Sequence, residues 1–259
     1  MRLVPYGAVL LFLVLERIWP LTKRKMQAGE LTENLFWLVF ADFLFPAALA
    51  TLSVLAFFTW ADGLRLFQFH LNPMLEIVLI LLLTDFVRYW GHRYSHRPGI
   101  LWEIHKLHHS SQNVGVLSAY RSSWVEDLLF SNLFCWALVL VGFSADLVGL
   151  TGIVFCLQGQ FVHSNLNLRF WKVQKVVADP HFHHWHHSSE SHFANGQNFG
   201  VILSLWDKLF GTFYCPQNVA LHYGFANEDE YPRHVLQRLV YPFDRLFLRL
   251  LRRLQGSRR

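Results

Sequence analysis

Charge is scarce in this chain of 259 residues: 16% are Asp, Glu, Lys or Arg, 53% are hydrophobic, and the mean hydropathy is positive, at +0.25. A soluble domain of this length rarely carries so little charge on so apolar a background, so the expected class is a helical membrane domain. Cysteine is almost absent. Cys135, Cys156 and Cys215 form no spaced framework, which excludes a disulfide scaffold or a cysteine metal cage. Cys135 and Cys156 fall in apolar runs and are read as small buried apolar residues. No nicotinamide or flavin fingerprint is visible and no length remains for a reductase domain, so any electrons the chain uses are expected to come from a partner. The net charge of +5 flanks apolar runs or trails at the C-terminus, which excludes a nucleic-acid footprint.

What the chain does have is long apolar stretches. Four could reach across a bilayer: residues 3–19, 35–60 (carrying Asp42 and Pro46), 73–91, and a longer region at 124–162. Nineteen residues at 1.5 Å rise span about 28 Å, enough for the hydrocarbon core. Turn residues Gly142 to Asp146 divide the last region into a helical hairpin, with arms at 124–142 and 145–162 and Ser144 as a helix N-cap. Glu16-Arg17 follows the apolar run from Leu3 to Leu15 with no small-residue cleavage site, so the first stretch is expected to be a retained membrane helix and not a signal peptide. Lys23, Arg24 and Lys25 follow the first span, Arg93, Arg97, Lys106 and Arg121 the third, and Arg169, Lys172 and Lys175 the hairpin. The opposite loops hold only Arg65. The histidine-rich segments are therefore expected at the cytoplasmic face. The whole is expected to be an all-α integral membrane bundle of about four transmembrane helices with a cytoplasmic histidine-rich helical cap. Its parts are N-terminal membrane helices (1–71), a central domain (72–215) and a basic C-terminal segment (216–259). Arg245, Arg249, Arg252 and Arg253 alternate there with leucines and phenylalanines, which reads as an interfacial helix resting on anionic lipid.

Histidine is abundant and clustered. Twelve of the fifteen lie in three places: five in 92–109, one at 163 and six in 181–192. His70, His222 and His234 are read as ordinary polar residues. His92 and His96, His105 and His109, and His183 and His187 are each four apart, so each pair shares a helix face and can converge on one ion. His108 and His186 stand beside such pairs but point about a third of a turn away, toward a second ion nearby. A histidine-rich run can also be a solvated metal-scavenging tract. Here Trp90, Trp102, Phe182 and Trp185 interleave with the runs, which implies a formed, buried site. Imidazole suits zinc, iron, copper and nickel alike, so the spacing does not name the metal.

The order His92-x-x-x-His96, His105-x-x-His108-His109, His183-x-x-His186-His187 resembles the three histidine boxes of the fatty acid hydroxylase / sterol desaturase superfamily. The surroundings are similar too: Asp85 through His96 for the first box, Leu101 through Ser110 for the second, Asp179 through Ser188 for the third. Arg121-Ser-Ser-Trp-Val-Glu126, His163-Ser-Asn165 and the stretch from Asn198 to Thr212 also resemble family signatures. The resemblance covers roughly residues 80–215. It implies two iron ions held by histidines, dioxygen as co-substrate, hydroxylation or desaturation of a lipid, and electrons from a separate ferredoxin or cytochrome-type donor. His181, His184 and His192 add imidazoles around the third box and leave ligation there open.

Asp85, Glu126 and Asp179 are the candidate carboxylates for orienting the ligating rings, each equally readable as a helix-ending or interfacial acid. No carboxylate has the Glu-x-x-His spacing of bundle-type di-iron sites, so ligation by histidine alone is expected. His163 belongs to no box but ends the returning hairpin arm at the depth of His92. It is expected to be a ninth ligand, with the eight box histidines divided four per ion and His163 raising one ion to five. The alternative is a helix-end histidine satisfied by terminal carbonyls. A histidine-lined zinc transporter or metal-binding membrane protein, and a zinc hydrolase of lipids, are the competing functions. Transport would favour polar residues in mid-span, whereas these histidines cluster beyond one end.

Overall fold

In the computed structural model the described residues are 4–24, 26–40, 66–67, 69, 71–190, 196–226 and 230–256, and among them the chain is helical with no strand. The principal helices are α1 (Val4–Ile18), α2 (Ala28–Val39), α3 (Pro73–Ser95), α4 (Ile100–His109), α5 (Leu133–Val141), α6 (Ala145–His163), α7 (Pro180–His186), α8 (Leu205–Leu209) and α9 (Val235–Gly256). A single helical turn, Trp124–Glu126, and a π-turn, Asp127–Asn132, lead into α5. Most of the expected 35–60 span, His70 and His192 lie outside the described residues.

Helix α3 starts where sequence chemistry dictates. Asn72 accepts from the Met74 amide at 2.9 Å, and Pro73 sits in the first turn, where its missing N–H costs nothing. Its first-turn Glu76 is buried and takes the Ser144 amide at 2.6 Å, so the start of α3 is tied to the turn between α5 and α6. Ser144 holds the N-cap position of α6, but its own side chain makes no capping bond; Glu76 captures its amide instead. Gly142 in this turn has φ +129, and a Cβ there would strike the backbone of Phe67. Ile80, Leu138, Val139, Phe143 and Val148 pack together at this end of the bundle.

Among the described residues, two helical stretches are long and apolar enough to cross a membrane: Trp124–Val141 and Ala145–His163, matching the expected hairpin. α3 does not qualify, because Glu76, Asp85, Arg88 and Arg93 interrupt its apolar residues. α1 has 15 residues, about 22 Å at the helical rise, which is short for a span. Cys156, expected to be buried, is exposed on α6, while Cys135 and Cys215 are partly covered.

The C-terminal ends of α1, α3 and α6 meet at one end of the bundle, and the histidines sit there. α1 is held by its Glu16 carboxylate, which accepts from the Val116 amide at 2.7 Å and the Asn165 amide at 2.8 Å. The chain after α1 then runs alongside the exit of α6, with Leu21 N–H donating to Asn165 O and Asn167 N–H to Trp19 O. α2 adds Glu30, which accepts from the amides of Gln112 and Asn113, each at 3.0 Å, and from the Ser111 hydroxyl at 2.8 Å, just past α4. Glu16→Ala would leave the Val116 and Asn165 amides unpaired and should lower stability by about 1–3 kcal/mol. The midpoint of thermal unfolding in detergent reads this out, and an unchanged midpoint would remove Glu16 from the frame.

Candidate metal centre

Nine buried or half-buried imidazoles occupy the space between the ends of α3, α4, α6 and α7. They form two groups: His92, His96, His105, His109 and His186, and His108, His163, His183 and His187. Within each group the nearest ring nitrogens all lie within 4.8 Å of one another. All nine histidines singled out in the sequence are brought together. Helical spacing explains the sorting. His105 and His109 face one group from α4, and His108, one residue out of phase, faces the other. On α7, His183 and His187 share a group while His186 turns to its neighbour. The division differs from the expected four and four. His186 joins the His92–His96 side, so the boxes supply five and three, and His163 brings the smaller group to four.

Hydrogen bonds on the far side of five of the nine rings settle which nitrogen is free. Nδ1 of His92 lies 3.0 Å from Phe199 O, that of His108 3.2 Å from Arg121 O, that of His163 2.7 Å from Gly159 O, and that of His186 2.7 Å from Gln197 O. Nδ1 of His105 lies 2.7 Å from the Glu126 carboxylate. Carbonyl and carboxylate oxygens only accept, so Nδ1 carries the proton and Nε2 presents a lone pair. In the larger group the Nε2 atoms of all five rings are buried with no hydrogen-bond partner. In the smaller group Nε2 of His163 lies 3.1 Å from Nε2 of His108, of His183 and of His187. His108 and His163 both spend their proton on a carbonyl, so two lone pairs face each other at that distance, an arrangement that needs a cation. The 3.1 Å spacing lies between the octahedral and tetrahedral edges that a metal–imidazole distance of about 2.0–2.1 Å produces. The donor set fits a pair of transition-metal ions.

Burial, reinforced by the neighbouring imidazoles, pulls the pKa of His108, His109, His183, His186 and His187 well below the usual histidine value. These five rings are thereby kept in the neutral, ligating form.

The three candidate carboxylates separate. Glu126 orients a ring, that of His105. Asp85 meets no ring: it accepts from the amides of Ile202 and Leu203 at 2.9 and 3.0 Å and from Trp206 Nε1 at 2.9 Å. Asp179 caps α7, accepting from the Phe182 amide at 2.8 Å, and also takes the Phe170 amide and Gln174 Nε2. Both hold backbone that in turn carries the site. His181 and His184 stand outside both groups, because each uses both ring nitrogens elsewhere. His181 meets Cys215 and Asn218 O, and His184 meets the Tyr223 hydroxyl and Ser164 O.

Two positioning residues escaped the sequence reading. Asp207, fully buried, binds the amides of Phe199 and Gly200 at 2.7 Å each and so fixes the carbonyl that orients His92. Arg121, 1% exposed, donates to Asn34 Oδ1 and to Ser110, pairs with Glu33, and thereby holds the carbonyl that orients His108. Both sit in segments that resemble family signatures, which was the available signal. Gly196, at φ +81, lets the backbone close over His96; a Cβ there would lie 2.8 Å from its Nδ1.

A helical protein with two candidate membrane-crossing helices and two adjoining all-histidine clusters at one end of its bundle is the class that fold and site define. Comparison with known proteins then identifies the family. Residues 77–212 match the fatty acid hydroxylase family model, and the chain belongs to that family. It is 31% identical over 176 residues to an ornithine lipid hydroxylase of Rhizobium tropici, covering 66% of this chain and 53% of that protein. It is 30% identical to human alkylglycerol monooxygenase, covering 63% and 35%, and 26% identical to a methylsterol monooxygenase of Arabidopsis thaliana, covering 61% and 55%. The chain thus spans about a third to a half of the length of these relatives. No solved structure matches it significantly.

Replacing Glu126 by Gln removes the charge that orients His105 and should weaken metal binding 10- to 100-fold at the five-histidine group alone. Metal titration of the metal-free protein measures this; equal weakening at both groups, or none, would contradict the role.

Proposed function

We propose that this chain is a membrane-bound oxygenase that holds two iron ions, takes electrons from a separate ferredoxin or cytochrome-type donor, and uses dioxygen to hydroxylate or desaturate a lipid. The facing Nε2 atoms of His108 and His163 carry the reading, because neither has a proton to offer the other. The relatives named for ornithine lipids, alkylglycerols and methylsterols support a lipid substrate and an oxidative reaction. His92, His96, His105, His109 and His186 would hold one ion, and His108, His163, His183 and His187 the other.

When bound, the metal pair supplies the activation of dioxygen that no side chain can perform. The protein's contribution is to orient, to keep dry and to keep proton-free. Carbonyls of Phe199, Arg121, Gly159 and Gln197 and the carboxylate of Glu126 point five Nε2 lone pairs inward, fixing the rings before any ion arrives. Phe199 and Trp102 pack against the cage and keep water from it. Lysine and arginine asymmetry in the sequence supports a cytoplasmic face for this end of the bundle, within reach of a soluble donor. A transporter reading fits less well, because the histidines gather at one end of the helices instead of along a path between them.

His163→Gln keeps a hydrogen-bonding side chain at the end of α6 but supplies a poor ligand. Bound metal should fall from two ions per chain toward one, and oxygen-dependent lipid modification should be lost. Elemental analysis after iron loading, paired with lipid profiling of cells with and without the variant, reads both. Two retained ions with near-normal turnover would reduce His163 to a helix cap. Activity that follows zinc instead of iron would replace the oxygenase with a hydrolase.

A further inference from the structure

Helix α9 is amphipathic in the reverse sense to an ordinary surface helix. Three of its arginines turn toward the protein. Arg238 pairs with Glu33 of α2, while Arg245 and Arg249 reach the carboxylate of Glu103 on α4 at 3.7 and 3.1 Å. Glu103 is buried, and Lys106 joins it at 2.8 Å. Tyr241, on the same side of α9, is buried beneath Arg245. The opposite side carries Leu236, Val240, Phe243, Phe247 and Leu251, spaced three or four residues apart and therefore in one stripe. All five are exposed, Phe247 at 61% and Leu236 at 55%. A helix packed for water would turn this stripe inward and its arginines out.

The stripe also has a defined neighbour. Phe243 stacks on Trp124, the first residue of the membrane-spanning stretch Trp124–Val141, with ring centroids 5.4 Å apart and planes at 25°. The apolar face of α9 thus continues the lipid-facing surface of the span at its entry, two residues before Glu126 orients His105. We propose that α9 lies in the plane of the bilayer interface, its stripe in the acyl region of the membrane that its own spans cross, and its arginines locking the second histidine box through Glu103. Arg245 and Arg249, expected to rest on anionic lipid, are drawn instead toward the buried carboxylate of Glu103. The occupant is lipid, because the stripe is continuous with a span and carries no outward charge for a polar partner. A bilayer so engaged would hold α4, and with it His105, His108 and His109, at a fixed depth. The inference concerns membrane placement and does not depend on which metal the site holds.

Spin labels on the full chain in lipid nanodiscs test it, with Cys135, Cys156 and Cys215 replaced by Ala and a single cysteine introduced as Val240→Cys, Asp244→Cys or Phe247→Cys. Labels at 240 and 247 should be relaxed several-fold more by oxygen, which partitions into lipid, than by a water-soluble nickel chelate, and more so than the label at 244. A chelate that reaches 247 as readily as oxygen would put the stripe in water, and dipolar broadening between labels at 247 would put a second copy there; either overturns the proposal. The coupling is read separately, by amide exchange across Ile100–His109. The double variant Phe243→Glu, Phe247→Glu should raise it several-fold in nanodiscs, and unchanged exchange would show that α9 does not hold α4.

Discussion

The contact between Nε2 of His108 and Nε2 of His163 sets what every surrounding element has to supply. Two neutral imidazoles with their lone pairs opposed repel unless positive charge sits between them. The fold must therefore force the rings into place before an ion stabilises them, and it does so from behind. Each outward Nδ1–H that finds a carbonyl or carboxylate fixes both a tautomer and a direction. Apart from Gly159, one turn before His163, those acceptors come from outside the ring's own helix: the loop after α7 and the segment around Arg121 and Glu126. A folded backbone, not a string of histidines, is what makes the cage.

The acidic residues of the N-terminal forty positions gain meaning from the same demand. Glu16, Glu30 and Glu33 lie outside the family-model match, yet each reaches the connection between the second and third histidine boxes. Glu33 sits between Arg121 and Arg238, so α2, the carbonyl that orients His108, and α9 share one ionic junction. Buried charges of this kind add little net stability, since desolvation offsets their attraction, but breaking one partner leaves the others uncompensated. They act as register marks. Asp85 and Asp207 do comparable work on the other side, holding the turns between Phe199 and Trp206 whose backbone backs His92.

Much of this was readable from spacing. Histidines four apart on α3, α4 and α7 share a face because 3.6 residues make a turn, and a third histidine one position out of phase turns to a neighbouring centre for the same reason. The hairpin was readable because Gly142 to Asp146 interrupt an apolar run too long for one crossing. Asp85 was less readable. It sits two turns ahead of His92 on the same helix, but the loop at 202–203, more than a hundred residues on, takes its carboxylate. Carboxylates are recruited by whichever amides the fold leaves unpaired, and local spacing contains no information about that.

By itself the sequence determined that the protein is helical and apolar, that its histidines come in helix-faced pairs, and that these gather at one end of its hydrophobic segments. Periodicity and hydropathy are local quantities, and they are enough for those three conclusions. Only the tertiary structure decided the partition into five and four, since His186 and His163 are sorted by the angles at which α7 and α6 arrive. Only it decided which carboxylate orients a ring and which staple loops, and why His181 and His184 stay outside the cage. It also decided which way α9 faces: the helical pattern fixes that leucines and arginines lie on opposite sides, but Glu33 of α2 and the buried Glu103 of α4 choose the side that turns inward.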